Sequence, residues 1–232
     1  MKRFSNVISI VRRDWNRLRE IGPLYGVQRA VRLFLPRRWF EINLWIYTDT
    51  ELAPWRTEPP PEGNIRWAIA EDFDLPVNYG DWAKVRKGFA SGDKVVVSVE
   101  DSRVRGWMWF ATDFVDNHDW LRMVLEKDEC FAHESLVDPA LRQQGIAKAM
   151  ALFGYLGLDR QGYRLAWGFI DVLNRASLKT YISPIHANEH VFYARLLGLT
   201  YLRIGKFRRL GTWKPARRLE LRRAFIVKQL SQ

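Results

Sequence analysis

Phe4, Val7, Ile8, Val11, Trp15 and Leu18 recur at spacings of three and four, which predicts one apolar stripe along a helix over residues 4–21. Gly22-Pro23 ends it. A second short period, Val27, Ala30, Val31, Phe34 and Leu35, stops before Pro36. The aromatic-rich stretch around Trp39, Phe40, Leu44, Trp45 and Ile46 fits neither a helical nor a strand period. Residues 54–63, PWRTEPPPEG, hold four prolines and a glycine and read as a linker.

Beyond it the period changes. Ile65–Ala70 reads as a strand and Leu75–Phe89 as a helix. Lys94–Glu100 (KVVVSVE) is a β-branched strand. Gly106–Ala111 is its hairpin partner, and Cys130–Val137 is a third strand. Ile146–Leu158 is apolar at helical spacing, and Arg164–Val172 is again a strand. Helices are expected over 175–197, interrupted at Pro184, with closing strands at Thr200–Gly211 and Leu219–Gln229. The organisation expected is a basic helical extension (1–53), a linker (54–63) and one domain (64–232).

Charge sharpens this division. The chain of 232 residues carries 37 Lys+Arg and 26 Asp+Glu, a net +11. Residues 1–40 hold ten basic residues against two acids, and residues 201–232 hold ten against one. The middle, 41–200, is net acidic, with 17 basic residues and 23 acids. Two basic ends around an acidic middle argue against a uniform nucleic-acid coat, and no nucleic-acid-binding motif is present. A basic amphipathic N-terminal helix has two readings: docking on an anionic membrane surface, or packing on the domain with solvated arginines. Trp39, Phe40 and Trp45 beside Arg37 and Arg38 favour the first.

Cys130 is the one cysteine, so no intrachain disulfide can form. No run of about 18 uncharged apolar residues occurs, and FSNVISIV after Lys2-Arg3 lacks a cleavage site. The chain is expected in the cytoplasm, free or peripheral at the inner face of a membrane. A homodimer remains open.

The chemistry concentrates in Ser135–Met150, SLVDPALRQQGIAKAM. A strand ends at Val137-Asp138-Pro139 and a helix opens after Arg142-Gln143-Gln144-Gly145-Ile146-Ala147. Unpaired N–H groups and the positive dipole end of a helix bind phosphate. Gly145 removes a side chain where an anion approaches, and Arg142 and Lys148 add positive charge.

This segment resembles motif A of the GNAT acyltransferase superfamily, Arg/Gln-x-x-Gly-x-Gly/Ala after a strand ending near Val-x-Pro. Arg142, Gly145 and Ala147 match, with Val137 and Pro139 upstream. The resemblance covers residues 64–211. It implies an α/β (α+β) fold, with a mixed, mostly antiparallel central sheet flanked by helices. It also implies acetyl-CoA or another acyl-CoA as co-substrate and no metal. The pyrophosphate would lie on Arg142, Gln143, Gln144, Gly145, Ile146, Ala147 and Lys148, and the pantetheine along Leu136 and Val137. Asn174-Arg175-Ala176-Ser177 with Tyr181 resembles the family's Asn-x-x-Ala/Ser-x-x-x-Tyr. That implies Asn174 at the pantetheine arm and a tyrosine that protonates the departing thiolate. Gly198-Leu199, where the family has Gly-Phe, comes late and makes Tyr193 the rival of Tyr181.

An amine attacking a thioester must lose a proton, and Glu134, on the strand before the cradle, is the candidate base. On a regular strand His133 points to the opposite face, but the resemblance implies a bulge here that splays two parallel strands and admits the cofactor, which would let both residues face the substrate. His186 and His190 have helical metal-ligand spacing but no third ligand, and Cys130 reads as a buried small hydrophobe. The function expected is direct acyl transfer from acyl-CoA to a small-molecule or lipid-linked amine. The rival is a non-catalytic acyl-CoA-binding scaffold or sensor at a membrane surface.

Overall fold

The computed structural model describes residues 40–59, 61, 64–77, 79–116, 121–172, 174, 177–178, 189–197, 199–204, 214–215, 219–224 and 226. The helices expected over 4–21 and 27–35, together with Tyr181 and His186, lie outside the described residues.

The strands are β1 (Phe40–Glu51), β2 (Ile65–Trp67), β3 (Lys94–Glu100), β4 (Arg103–Ala111), β5 (Phe114–Asp116) and β6 (Leu121–Val124). They continue as β7 (Glu129–Val137), β8 (Leu165–Asp171), β9 (Glu189–Leu196), β10 (Leu199–Ile204), β11 (Lys214–Pro215) and β12 (Leu219–Arg222). Two α-helices are described, α1 (Trp82–Ala90) and α2 (Ile146–Arg160). The main sheet has the order β11-β10-β9-β1-β8-β7-β4-β3-β2, and β12-β6-β5 form a second, small sheet. In the main sheet β7 and β8 run parallel, and the other neighbours are antiparallel.

Strand alternation sorts the core. Trp107 and Trp109 face α1, where they meet Val85, Phe73 and Val95. Met108 and Phe110 face the other way, onto Met150, Tyr155 and Leu158 of α2. Past Ala111, the α1 face of the sheet is covered by Leu121 and Met123 of β6 and Leu221 of β12. Gly154 lets α2 come close: a Cβ there would meet the Phe110 ring at 2.6 Å. Helix propensity favours Gly154→Ala by about 1 kcal/mol. Overpacking costs about 1–3 kcal/mol, so this variant should unfold at a lower urea concentration.

The sequence reading needs four corrections here. Residues 40–51 are no part of a helical extension. They form β1, an interior strand paired with β8 on one side and β9 on the other. It escaped notice because buried polar residues, Asn43, Thr48 and Thr50, interrupt its apolar pattern. Residues 54–57 are also not a free linker. Ala53–Thr57 form a 3-10 turn, Trp55 meets Tyr155 of α2 at 5.5 Å, and Arg56 grips Asp159 with bonds of 2.6 and 2.8 Å. The helix expected over 175–197 gives way to β9 from Glu189 onward, because pairing with β1 and β10 outweighs local propensity. The helix expected from Leu75 begins only at Trp82, where Asp81 accepts the Lys84 N–H at 3.1 Å.

Candidate active site

The site starts from one irregularity in β7. Its pairing with β4 shifts register, so that Glu134 lies opposite Trp109 and Ala132 opposite Phe110. His133 is the extra residue of a β-bulge, which bends the strand. On its other side β7 pairs with β8 only through Glu129↔Leu165, Cys130↔Ala166 and Phe131↔Trp167. Beyond Phe131 the two parallel strands part. Gly168 sits at the crotch, where a Cβ would come within 2.9 Å of the Ala132 carbonyl oxygen.

The opening holds a cavity of about 200 Å³. Its walls are Ala132–Leu136 of β7 and Gly168–Asp171 of β8, with Thr48 of β1, Met108, Tyr155, Asn174 and Ser177 completing it. Because of the bulge, His133 and Glu134 both turn to the α1 face. The His133 ring stacks on Trp109 at 4.3 Å, and Glu134 is the register partner of the same tryptophan. Ser135 points the other way, with Met108. Burial is the main cause that raises the Glu134 carboxyl above its ordinary range; Lys84 opposes this and Asp81 adds to it. Burial, then the Lys84 charge, lowers His133 to about 4, so the ring is neutral at physiological pH.

The cradle follows directly. Asp138 accepts the Ala140 N–H at 2.9 Å and starts a single 3-10 turn, Pro139–Leu141. Gln143 (φ 68°) and Gly145 (φ 80°) are both left-handed, with Gln144 between them. The first helical bond of α2 runs from Ala149 N–H to the Gly145 carbonyl at 3.0 Å, so the N–H groups before Ala149 have no partner within the helix. Nothing lies within 4 Å of where a Gly145 Cβ would stand. Arg142 and Lys148 flank this open space and are exposed.

Coenzyme A fits these features. The cradle offers N–H donors and positive charge around empty space. The cavity wall carries buried polar atoms with no partner in the chain, Ser135 Oγ among them, which a pantetheine amide could satisfy. The splay also frees the backbone edge of β7 that faces β8.

Most of the predicted site residues gather here. Glu134, Leu136 and Asn174 line the cavity, while Val137 is buried beneath α2. Asn174 Oδ1 accepts the Ser177 N–H at 3.2 Å and its carbonyl accepts the Leu178 N–H at 3.0 Å, so it caps the turn that follows β8. Tyr193 is a correction. It lies on β9 in the core, fully buried and stacked on Trp45 at 5.8 Å, away from the cavity wall. Cys130 is buried, its Sγ donates to the Leu165 carbonyl at 3.6 Å, and burial raises its thiol pKa. Among the described residues no group of three His, Cys, Asp or Glu could hold a metal ion, and no helix is long and apolar enough to cross a membrane. Sequence reasoning missed Thr48, Tyr155 and Ser177 as cavity residues, while the bulge that the resemblance implies is present and sets the orientation of His133. Thr48 was hidden with β1.

A mostly antiparallel sheet with one splayed parallel pair, a bulge at the splay and a glycine-led helix after it agrees with the architecture that the motif resemblance implied. No family model matches the sequence, and no curated protein matches it. Similar solved structures include the aminoglycoside N-acetyltransferase AAC(6')-Iy in complex with CoA, at 19% identity and a TM-score of 0.36, covering 52% of this chain and 88% of that one. A GNAT-family acetyltransferase from Novosphingobium aromaticivorans matches at 13% identity and a TM-score of 0.43, covering 72% of this chain and 66% of that one. A GCN5-related N-acetyltransferase from Sphaerobacter thermophilus also matches at 13% identity and a TM-score of 0.43, covering 75% of this chain and 56% of its own.

Proposed function

We propose that the chain transfers an acyl group from acyl-coenzyme A to a small-molecule or lipid-linked amine. The observation that carries this reading is the β7–β8 splay, which leads from a carboxylate, Glu134, to an open cradle at the start of α2. Bound acyl-coenzyme A supplies an activated thioester. The N–H groups of 143–147, with Arg142 and Lys148, hold its phosphates. The free edge of β7 at Ser135–Val137 and the Asn174 turn hold the pantetheine. Glu134, raised by burial, takes the amine proton. Tyr181, seven residues after Asn174 in sequence, is our candidate donor to the departing sulfur. Catalysis then consists of positioning and electrostatics, with no covalent enzyme intermediate.

Free-thiol release from acetyl-coenzyme A, measured with a panel of amino acids, amino sugars, polyamines and amino lipids, tests the reading. Amine-dependent release that is lost in Tyr181→Phe supports transfer with Tyr181 as the acid. Coenzyme A binding without thiol release for any amine would instead support a non-catalytic acyl-coenzyme-A-binding scaffold.

A further inference from the structure

His133 is held on two sides by aromatic rings. It stacks on Trp109 at 4.3 Å with an interplanar angle of 15°, and meets Phe131 edge-on at 6.2 Å. The platform is itself fixed. The Trp109 indole N–H donates to Asp93 Oδ2 at 2.8 Å, and the other Asp93 oxygen accepts the Thr112 N–H at 3.3 Å. Yet Nδ1 is buried with no hydrogen-bond partner of good geometry, and only the backbone of His133 itself acts on the ring as a weak one. Burying a polar atom without a partner is costly. If packing were the whole role, a phenyl ring would fill the same place at no such cost. The residue lies on the cavity wall beside Glu134, and the bulge has turned its ring to the face that Glu134 shares with Trp109.

We propose that a ring nitrogen of His133 accepts a hydrogen bond from the attacking amine and aims its lone pair at the thioester, while Glu134 takes the proton. This rests on the acyltransfer reading above. In the step, the amine nitrogen bonds to the acyl carbon and the carbon–sulfur bond breaks. Its electron pair leaves on the thiol sulfur of coenzyme A. The surplus amine proton goes to the Glu134 carboxylate, so His133 remains neutral throughout. A neutral imidazole suits this task, because it keeps a lone pair free.

The test compares His133→Phe with His133→Asn and His133→Gln in the full chain. Acetyl-coenzyme A serves with whichever amine gives thiol release. His133→Phe keeps the stacked ring and removes both nitrogens. Its kcat should fall by about tenfold to a hundredfold, the worth of one hydrogen bond to a group that gains charge, as the amine nitrogen does on attack. KM for acetyl-coenzyme A should stay within about twofold, and the melting temperature should not fall. One of the two amide variants should recover most of the loss, Asn reporting on Nδ1 and Gln on Nε2. A Phe variant as fast as the parent, or amide variants as slow as Phe, overturns the proposal and leaves acyl transfer standing. A parent chain that shows no amine-dependent release overturns both.

Discussion

Gly145→Glu is expected to weaken coenzyme A binding by about a thousandfold or more, with a small loss of stability. The backbone at Gly145 has φ 80°, so any side chain there costs about 1–2 kcal/mol. The side chain itself meets no obstacle, since nothing lies within 4 Å of its Cβ. A glutamate would therefore occupy the open space in front of α2, which we assign to the phosphates. Its charge suits the helix dipole by about 0.3–1 kcal/mol, which offsets part of the backbone strain. Against an approaching phosphate the same charge is repulsive, by about 4 kcal/mol at 4 Å with an effective dielectric of 20. Gly145→Ala separates the two effects: it carries the strain without the charge, and should lose at most about tenfold in affinity. Calorimetric titration with coenzyme A reads both variants. A dissociation constant for Gly145→Glu within about threefold of the parent would refute the cradle.

Glu134→Gln should lower kcat/KM by about a hundredfold to a thousandfold and leave coenzyme A affinity unchanged. The pH profile gives an independent check. Glu134 must be ionised to accept a proton, and burial raises its pKa. Activity should therefore be lost as pH falls through a midpoint above the ordinary glutamate value. Lys84 lowers that midpoint and Asp81 raises it. Lys84→Met should thus move the acidic limb to higher pH. Asp81→Asn should move it lower, and asparagine can still cap α1. Equal limbs in all three proteins would show that another group sets the profile.

Much of this site was legible in the chain. KVVVSVE could be little but a strand, and the glycine after Arg142-Gln143-Gln144 marks a turn into a helix. Both signals are local, and local signals survive in one dimension. What stayed hidden depends on partners far away in sequence. His133 and Glu134 alternate by number, and only the register with Trp109 and Phe110 puts them on one face. Residues 189–196 look helical until β1 and β10 stand on either side. Tyr193 looked like a catalytic tyrosine because its distance from Gly198 was read without knowing that a strand carries it into the core. Phe114–Asp116 and Leu121–Val124 are too short to stand out, and are defined by pairing with each other and by β12 on β6.

The place of β1 has a consequence for how the molecule is made. Thr48 bonds to Gly168, 120 residues away, and Asp49 pairs with Arg223, 174 residues away. The first described strand to be synthesised therefore waits for its partners until Arg223 has been made. Such high contact order makes folding slow. Until β1 is seated, β8 and β9 each present a bare edge able to pair with another chain. The wall of the cavity and the sheet's defence against aggregation are thus completed in the same late event.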